Sequence, residues 1–266
     1  MQKSHIVTLL TDFGLEDHVV AVMKAIMLEV NPDLKFIDIS HMVPRHDIAS
    51  GAFVLGQAYS YFPLGTINLA VVDPGVGTSR RAIAATAGGR FFVAPDNGLL
   101  TYVFNNEEVV LTHEIASDHY LRRPVSTTFQ GRDVFAPVAA WISRDIQLQQ
   151  FGPQIHNPVK LKLPELTRVR DTLIQAAIIA IDHFGNLITN LKPEDVPPYG
   201  GPGKKCKILA GQREITNFRK TFSEGLPGEV FVVPGSTGYL EIVVNNGSAA
   251  AELNLKPGAL IGVVLA

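Results

Sequence analysis

The stretch STTFQGRDVF, residues 126–135, sets a glutamine, Gln130, where a loop breaks into the apolar run VFAPVAAWI. A buried glutamine can position water through its carbonyl oxygen and its NH2 group. It cannot take a proton near neutral pH, because nothing in the side chain titrates there. Asp73 and Arg80 flank the glycine turn of DPGVGTSRR and can converge across it. The plainer reading of such a pair is a structural salt bridge. Asp12 and Asp17 flank a second glycine turn, in TDFGLEDH. Paired carboxylates there could bind a ribose diol or an ammonium group; the plainer role for Asp12 is a carboxylate at a helix N-terminus. Between two apolar strands, IDHFGNLITN is dense in polar groups. An asparagine in it can read an adenine edge through its paired donor and acceptor, and FGN equally suits a turn.

Other chemistries fit less well. DPGVGTSRR is half of a dinucleotide fingerprint, with Gly75 and Gly77, but Arg80 stands where the third glycine belongs. The loop also follows the third strand rather than the first, which argues against a nicotinamide cofactor. GPGKK at residues 201–205 is a weak Walker A lookalike and reads better as a turn. His41 and His46 beside Asp38 and Asp47 raise the idea of a metal, but no HExxH helix and no second histidine pair supports it. No metal is expected.

These residues need elements to carry them. Up to about residue 145 strands and helices alternate. HIVTLL, KFIDIS and INLAVV are apolar strands. HVVAVMKAIMLEV has apolar residues at Val19, Val20, Met23, Ile26, Met27 and Val30, which is helical spacing. DIASGAFVLGQAYSYF is a second helix with Asp47 as its cap. A βαβαβ order implies parallel strands with right-handed crossovers. The three loops TDFGLEDH, HMVPRHD and DPGVGTSRR leave strand ends, where such sheets bind ligands. AIAATA and RFFVAP follow as shorter strands, then the helix VFAPVAAWIS. HNPVKLKLPELTRVRD is polar, with two prolines and no period, and reads as a linker. Beyond it LIQAAIIAID, CKILA, EVFVVP, YLEIVV and LIGVVLA are short strands between Gly and Pro turns, as in a small β-barrel or sandwich. The expected division is an N-terminal α/β domain at residues 1–158 and a C-terminal β domain at residues 170–266.

At 266 residues the chain is long for one domain. Hydrophobic residues make up 46% and charged residues 18%, as in a compact globular protein. A net charge of −2 without a basic block gives no nucleic-acid footprint. With Cys206 as its single cysteine, the chain has no internal disulfide. The apolar run before Thr11 is too short for a signal segment, and no run reaches the roughly 18 apolar residues of a membrane span. The expected setting is cytoplasmic, so the NGS sequon at residues 246–248 carries no meaning.

Together these segments resemble one family, the S-adenosylmethionine (SAM) hydrolases, or SAM hydroxide adenosyltransferases, relatives of fluorinase and chlorinase. LLTDFGLEDHVVAVMKA, INLAVVDPGVGTSRR, FFVAPDNGLLTYV, TFQGRDVFAPVAA, IDHFGNLITNL and GYLEIVVNNGSAA carry the resemblance, in family order over almost the whole chain. It implies an N-terminal α/β domain with a mainly parallel sheet and a C-terminal β-barrel. It further implies a homotrimer, with SAM bound between one subunit's N-terminal domain and its neighbour's C-terminal domain. Asp12 would hold the ribose hydroxyls, and Asp17 and Asp182 would lie near the methionine ammonium. Phe184, Asn186 and Asn245 would frame the adenine, and Phe129 would line the pocket. Ser236 matches a position near the methionine end, and His46 falls where the halogenases carry an aromatic residue.

The family's hydrolases resemble one another in an Asp-Arg-His set proposed to activate water. Asp73 and Arg80 match its first two members; the third falls in a TFHGRD segment, where this chain has Gln130. The halogenases carry Tyr in place of Asp73, and fluorinase carries Thr in place of Val76 and an extra loop. The resemblance therefore implies hydrolysis of SAM to adenosine and L-methionine, with SAM as substrate and no cofactor. The alternatives are a SAM- or adenosine-binding protein with little turnover, because of Gln130, and a SAM-dependent halide transferase.

Overall fold

The computed structural model describes residues 4–197 and 206–265. The turn expected at residues 201–205 lies outside them. The chain divides into two compact units, Met1–Leu161 and Lys162–Ala266.

In the first unit, strand β1 (Ile6–Thr11) is buried along almost its whole length. It lies between β2 (Lys35–Ser40) and β3 (Ile67–Val71), both parallel to it. β3 pairs in parallel with β5 (Arg90–Pro95). A strand covered on both faces reads as a continuous apolar run, which is why IVTLLT and INLAV show no alternation. The expected parallel sheet is present and is extended by antiparallel β4 (Ala82–Ala87), β6 (Val110–Glu114) and β7 (Gln154–Ile155), in the order β2-β1-β3-β5-β4-β6-β7. Helix α1 (Val19–Val30) turns Met23, Ile26 and Met27 into the core. α2 (Ile48–Ala58) starts at Asp47, whose carboxylate accepts from the Ser50 N–H at 2.9 Å. α3 (Thr101–Asn106) packs against α2, and α4 (Ala136–Ser143) against α1. The sequence pattern missed α3 because six residues are too few to display a helical period.

The second unit is an eight-stranded antiparallel sheet. β8 (Thr167–Arg170) pairs with β9 (Leu173–Ile181), and the path runs β12-β11-β15-β9-β10-β14-β13. The other strands are β10 (Leu187–Thr189), β11 (Cys206–Ala210), β12 (Arg213–Ile215), β13 (Val230–Pro234), β14 (Leu240–Val244) and β15 (Leu260–Leu265). β12 and β13, at the two ends of the path, approach each other, so the sheet curls into a nearly closed barrel. This decides between barrel and sandwich. Ile178, Leu187, Ile208, Val232, Leu240, Ile242 and Val263 fill the interior. β8 falls in the stretch read as linker; its four residues are exposed, so no apolar alternation marks it. A short helix, α5 (Ala249–Leu253), is capped by Ser248, which accepts from the Ala251 N–H. Burial pushes the Cys206 thiol up to about 11, which keeps it protonated and unreactive. No helix among the described residues is long and apolar enough to cross a membrane.

Candidate active site

β1, β2 and β3 run parallel, so the loops that follow them emerge at one edge of the sheet. The first two loops are stitched together. Gly14 N–H donates to the His41 carbonyl at 2.8 Å, and Thr11 Oγ1 and His41 Nδ1 lie 2.8 Å apart. His46 adopts a left-handed φ of 65° and points its N–H at Asp12 Oδ2, 2.8 Å away. That backbone shape is uncommon for a residue with a side chain. Asp12 and Asp17 line one cavity with Phe13, His41, Pro44 and Arg45. The histidines do separate structural work here: His41 is buried against Thr11 and Asp38, while His46 serves Asp12 through its backbone. Among the described residues no group of three His, Cys, Asp or Glu side chains is placed to hold a metal.

The third loop carries the charge pair. Asp73 and Arg80 converge, with side chains only 4% and 11% exposed. Arg80 Nε lies 3.0 Å from both Asp73 carboxylate oxygens, and Nη2 donates to Asp73 Oδ2. The same Nη2 donates to Gln130 Oε1, so Asp73, Arg80 and Gln130 form one chain of contacts. The Arg80 guanidinium also sits over the Phe135 ring, 5.2 Å from its centroid.

Two local features bring Gln130 to Arg80. Gly77 has φ +80°, and a Cβ there would overlap the Thr127 carbonyl oxygen. Only glycine lets the Asp73–Arg80 turn lie this close to the loop before Gln130. Gln130 then leads into a π-helical turn, Gly131–Phe135, ahead of α4. Asp133 holds that turn. Its fully buried carboxylate accepts from Ser126 N–H at 2.8 Å and from Arg132 Nε at 2.7 Å, with Arg122 Nη1 at 3.5 Å. Burial by itself would raise its pKa; the Arg132 and Ser126 hydrogen bonds and the nearby cations outweigh burial and hold the carboxyl below its usual range. Arg132 and Asp133 brace the loop, while Gln130 faces the charge pair. Phe129 meets Phe13 edge to face at 6.4 Å and carries the Arg132 guanidinium on its ring.

In the second unit, the β9–β10 turn places Asp182, Phe184 and Asn186 together. Asp182 Oδ1 accepts from the N–H groups of Phe184 at 2.9 Å and Asn186 at 2.8 Å; Oδ2 accepts from Asn186 Nδ2 at 2.8 Å. The turn chemistry read in FGN is therefore present, with Asp182 as its anchor. Phe184 is 74% exposed. Asn245 follows β14, and its Nδ2 donates to the Gly225 carbonyl. Ser236 is exposed in the turn between β13 and β14.

Sequence reading did not single out Phe135 or Glu241. Phe135 belongs to an apolar run and looks like core, which it also is. Glu241 leaves a visible signal, a lone acid inside the strand YLEIVV.

Two domain descriptions match the chain in order. Residues 7–152 match the SAM hydroxide adenosyltransferase N-terminal domain, and residues 176–262 the C-terminal domain of the same family. A protein from Salinispora tropica named (R)-S-adenosyl-L-methionine hydrolase is 38% identical over 93% of each chain. A fluorinase from Nocardia brasiliensis is 29% identical over 97% of this chain and 96% of its own. The crystal structure of an uncharacterized conserved protein from Thermotoga maritima superposes with a TM-score of 0.89 at 35% identity, covering 97% of this chain and 99% of that one. With both domains matched in order and relatives aligned from end to end, the chain belongs to the SAM hydroxide adenosyltransferase family.

Proposed function

We propose that the protein hydrolyses S-adenosyl-L-methionine to adenosine and L-methionine. The observation that carries this reading is the largely buried Asp73–Arg80 pair joined to Gln130, at the ligand edge of a parallel sheet in a chain of this family. Water or hydroxide attacks the ribose 5′ carbon in line with sulfur. The C5′–O bond forms as the C5′–S bond breaks, the bonding pair stays on sulfur, and a proton from water passes to solvent. Methionine departs as a neutral thioether, so the departure itself needs no general acid and no cofactor. The protein's work is to align nucleophile, carbon and sulfur, and to exclude bulk water. Arg80 favours a hydroxide electrostatically. Asp73 orients Arg80 and accepts a hydrogen bond from the nucleophile. Gln130, its carbonyl oxygen engaged by Arg80, has its NH2 group left to hold the nucleophile's oxygen.

In the same reading Asp12 takes the ribose hydroxyls, and Asp17 and Asp182 face the methionine ammonium. Three of the roughly four acceptor positions of the Asp182 carboxylate are occupied, which leaves room for one more donor. Phe184, Asn186 and Asn245 frame the adenine, with Phe129 and His46 along the pocket wall and Ser236 at the amino-acid end. Chromatography of SAM incubated with the protein, with and without chloride, bromide or fluoride, tests the reaction. Adenosine and methionine should appear in equal amounts whether or not halide is present. A 5′-halo-5′-deoxyadenosine product would make the protein a halide transferase; bound SAM without products would make it a binding protein.

We also propose a homotrimer with active sites at subunit interfaces, supported by the family resemblance. Sizing in solution should give three copies. Co-expressed Asp73→Ala and Asp182→Asn chains should recover roughly a quarter of the normal activity in randomly mixed trimers, since one site in four then draws both intact halves. No recovery would place each site within a single subunit.

A further inference from the structure

Glu241 sits in the middle of β14 and is 6% exposed. It pairs with Ile188 on one side and Val233 on the other. Strand alternation puts it with Val243, on the face turned away from the Leu240 and Ile242 core. Its carboxylate accepts no hydrogen bond from any described residue. A Cβ at Gly235 would overlap Glu241 Oε1, so the glycine makes room for the acid beneath the turn that carries Ser236. On the same face, Ile188 pairs with Ala180, two residues before Asp182. Burial first, and the Asp182 charge second, push the Glu241 carboxyl upward.

A carboxylate held largely out of water without a protein partner is costly, and a second acid nearby adds to the cost. As a structural residue Glu241 does nothing that an apolar side chain would not do better. A cation delivered by a ligand removes both penalties at once. The cation must come from the ligand, because no described Lys or Arg pairs with this acid.

We propose that Glu241 is a specificity residue for the ammonium group at the amino-acid end of the substrate, acting together with Asp182. This rests on the hydrolase reading above. It gives a role to a residue that lies within the GYLEIVVNNGSAA segment but had none assigned, and it makes Gly235 part of the same device.

The test compares SAM with 5′-dimethylsulfonio-5′-deoxyadenosine, which keeps the sulfonium and nucleoside but lacks the amino-acid end. Glu241→Gln should lower the preference for SAM over this analogue, read as the ratio of their KM values, by about tenfold or more, as expected for loss of a charged hydrogen bond. The change should lie in KM rather than kcat, and the variant should melt no lower than the parent, because an unpaired buried charge has gone. Gly235→Ala, which displaces the carboxylate without changing it, should reproduce the loss of preference. An unchanged ratio in Glu241→Gln overturns the proposal, as does an equal loss for both compounds together with a lower melting temperature. Calorimetric titration of SAM separates the two readings. SAM that binds without turnover, with a Glu241-dependent preference, overturns hydrolysis alone; no SAM binding to the parent protein overturns both.

Discussion

Asp73→Ala is expected to abolish adenosine release from SAM while leaving SAM binding measurable. Asp73 is the carboxylate on which the Arg80 guanidinium rests, and both side chains are nearly buried. Without it the Arg80 charge is unbalanced and free to turn toward the Phe135 ring or away from it. Gln130 is then lost as well, since its carbonyl oxygen is held by the nitrogen that also holds Asp73. Loss of one preorganised electrostatic group typically costs about 10²–10³ in kcat, and here three groups are misplaced together. The ribose and adenine contacts proposed for Asp12, Asn186 and Asn245 do not run through Asp73, so affinity should survive. Removing one partner of a buried ion pair costs about 3–5 kcal/mol of stability, so a melting curve must accompany the rate. Asp73→Asn keeps the shape and should lose the rate with less loss of stability. Full activity in Asp73→Ala would remove Asp73 from the chemistry.

Gln130→His is expected to raise the rate of adenosine release. The position is already aimed at the charge pair by the Gly77 contact and the π-helical turn, so an imidazole there would reach the same place. The Arg80 guanidinium beside it would disfavour the imidazolium and keep the ring neutral, able to accept a proton near pH 7. General-base assistance is worth about 10²–10⁴-fold, which bounds the gain. The pH profile should acquire a rise as the new histidine loses its proton, a feature the glutamine form cannot show. An unchanged rate would mean that this position only holds water, a task the glutamine amide performs as well. Quenched-flow chromatography over a pH series distinguishes the two.

Much of this protein is readable without coordinates. The apolar runs of β1 and β3 and the spacing of Met23, Ile26 and Met27 determine a βαβ sheet, because burial on both faces and a 3.6-residue period leave direct marks on composition. Asp12, Asp73 and Arg80 stand out as candidate site residues because their loops follow those strands, and the family resemblance adds Asp182, Asn186 and Asn245 as candidates. Exposed β8 and the six residues of α3 leave too weak a pattern to be seen. Three matters were decided only in three dimensions. Whether Asp73 and Arg80 meet depends on the path of the turn between them; whether Gln130 joins them depends on Gly77 lying against the Thr127 carbonyl, a contact between segments fifty residues apart. Whether the lone acid of YLEIVV is exposed or buried depends on strand register and on the space left by Gly235. Residue types and local periods are properties of the chain, whereas convergence and burial are properties of packing, and the chemistry proposed here needs both.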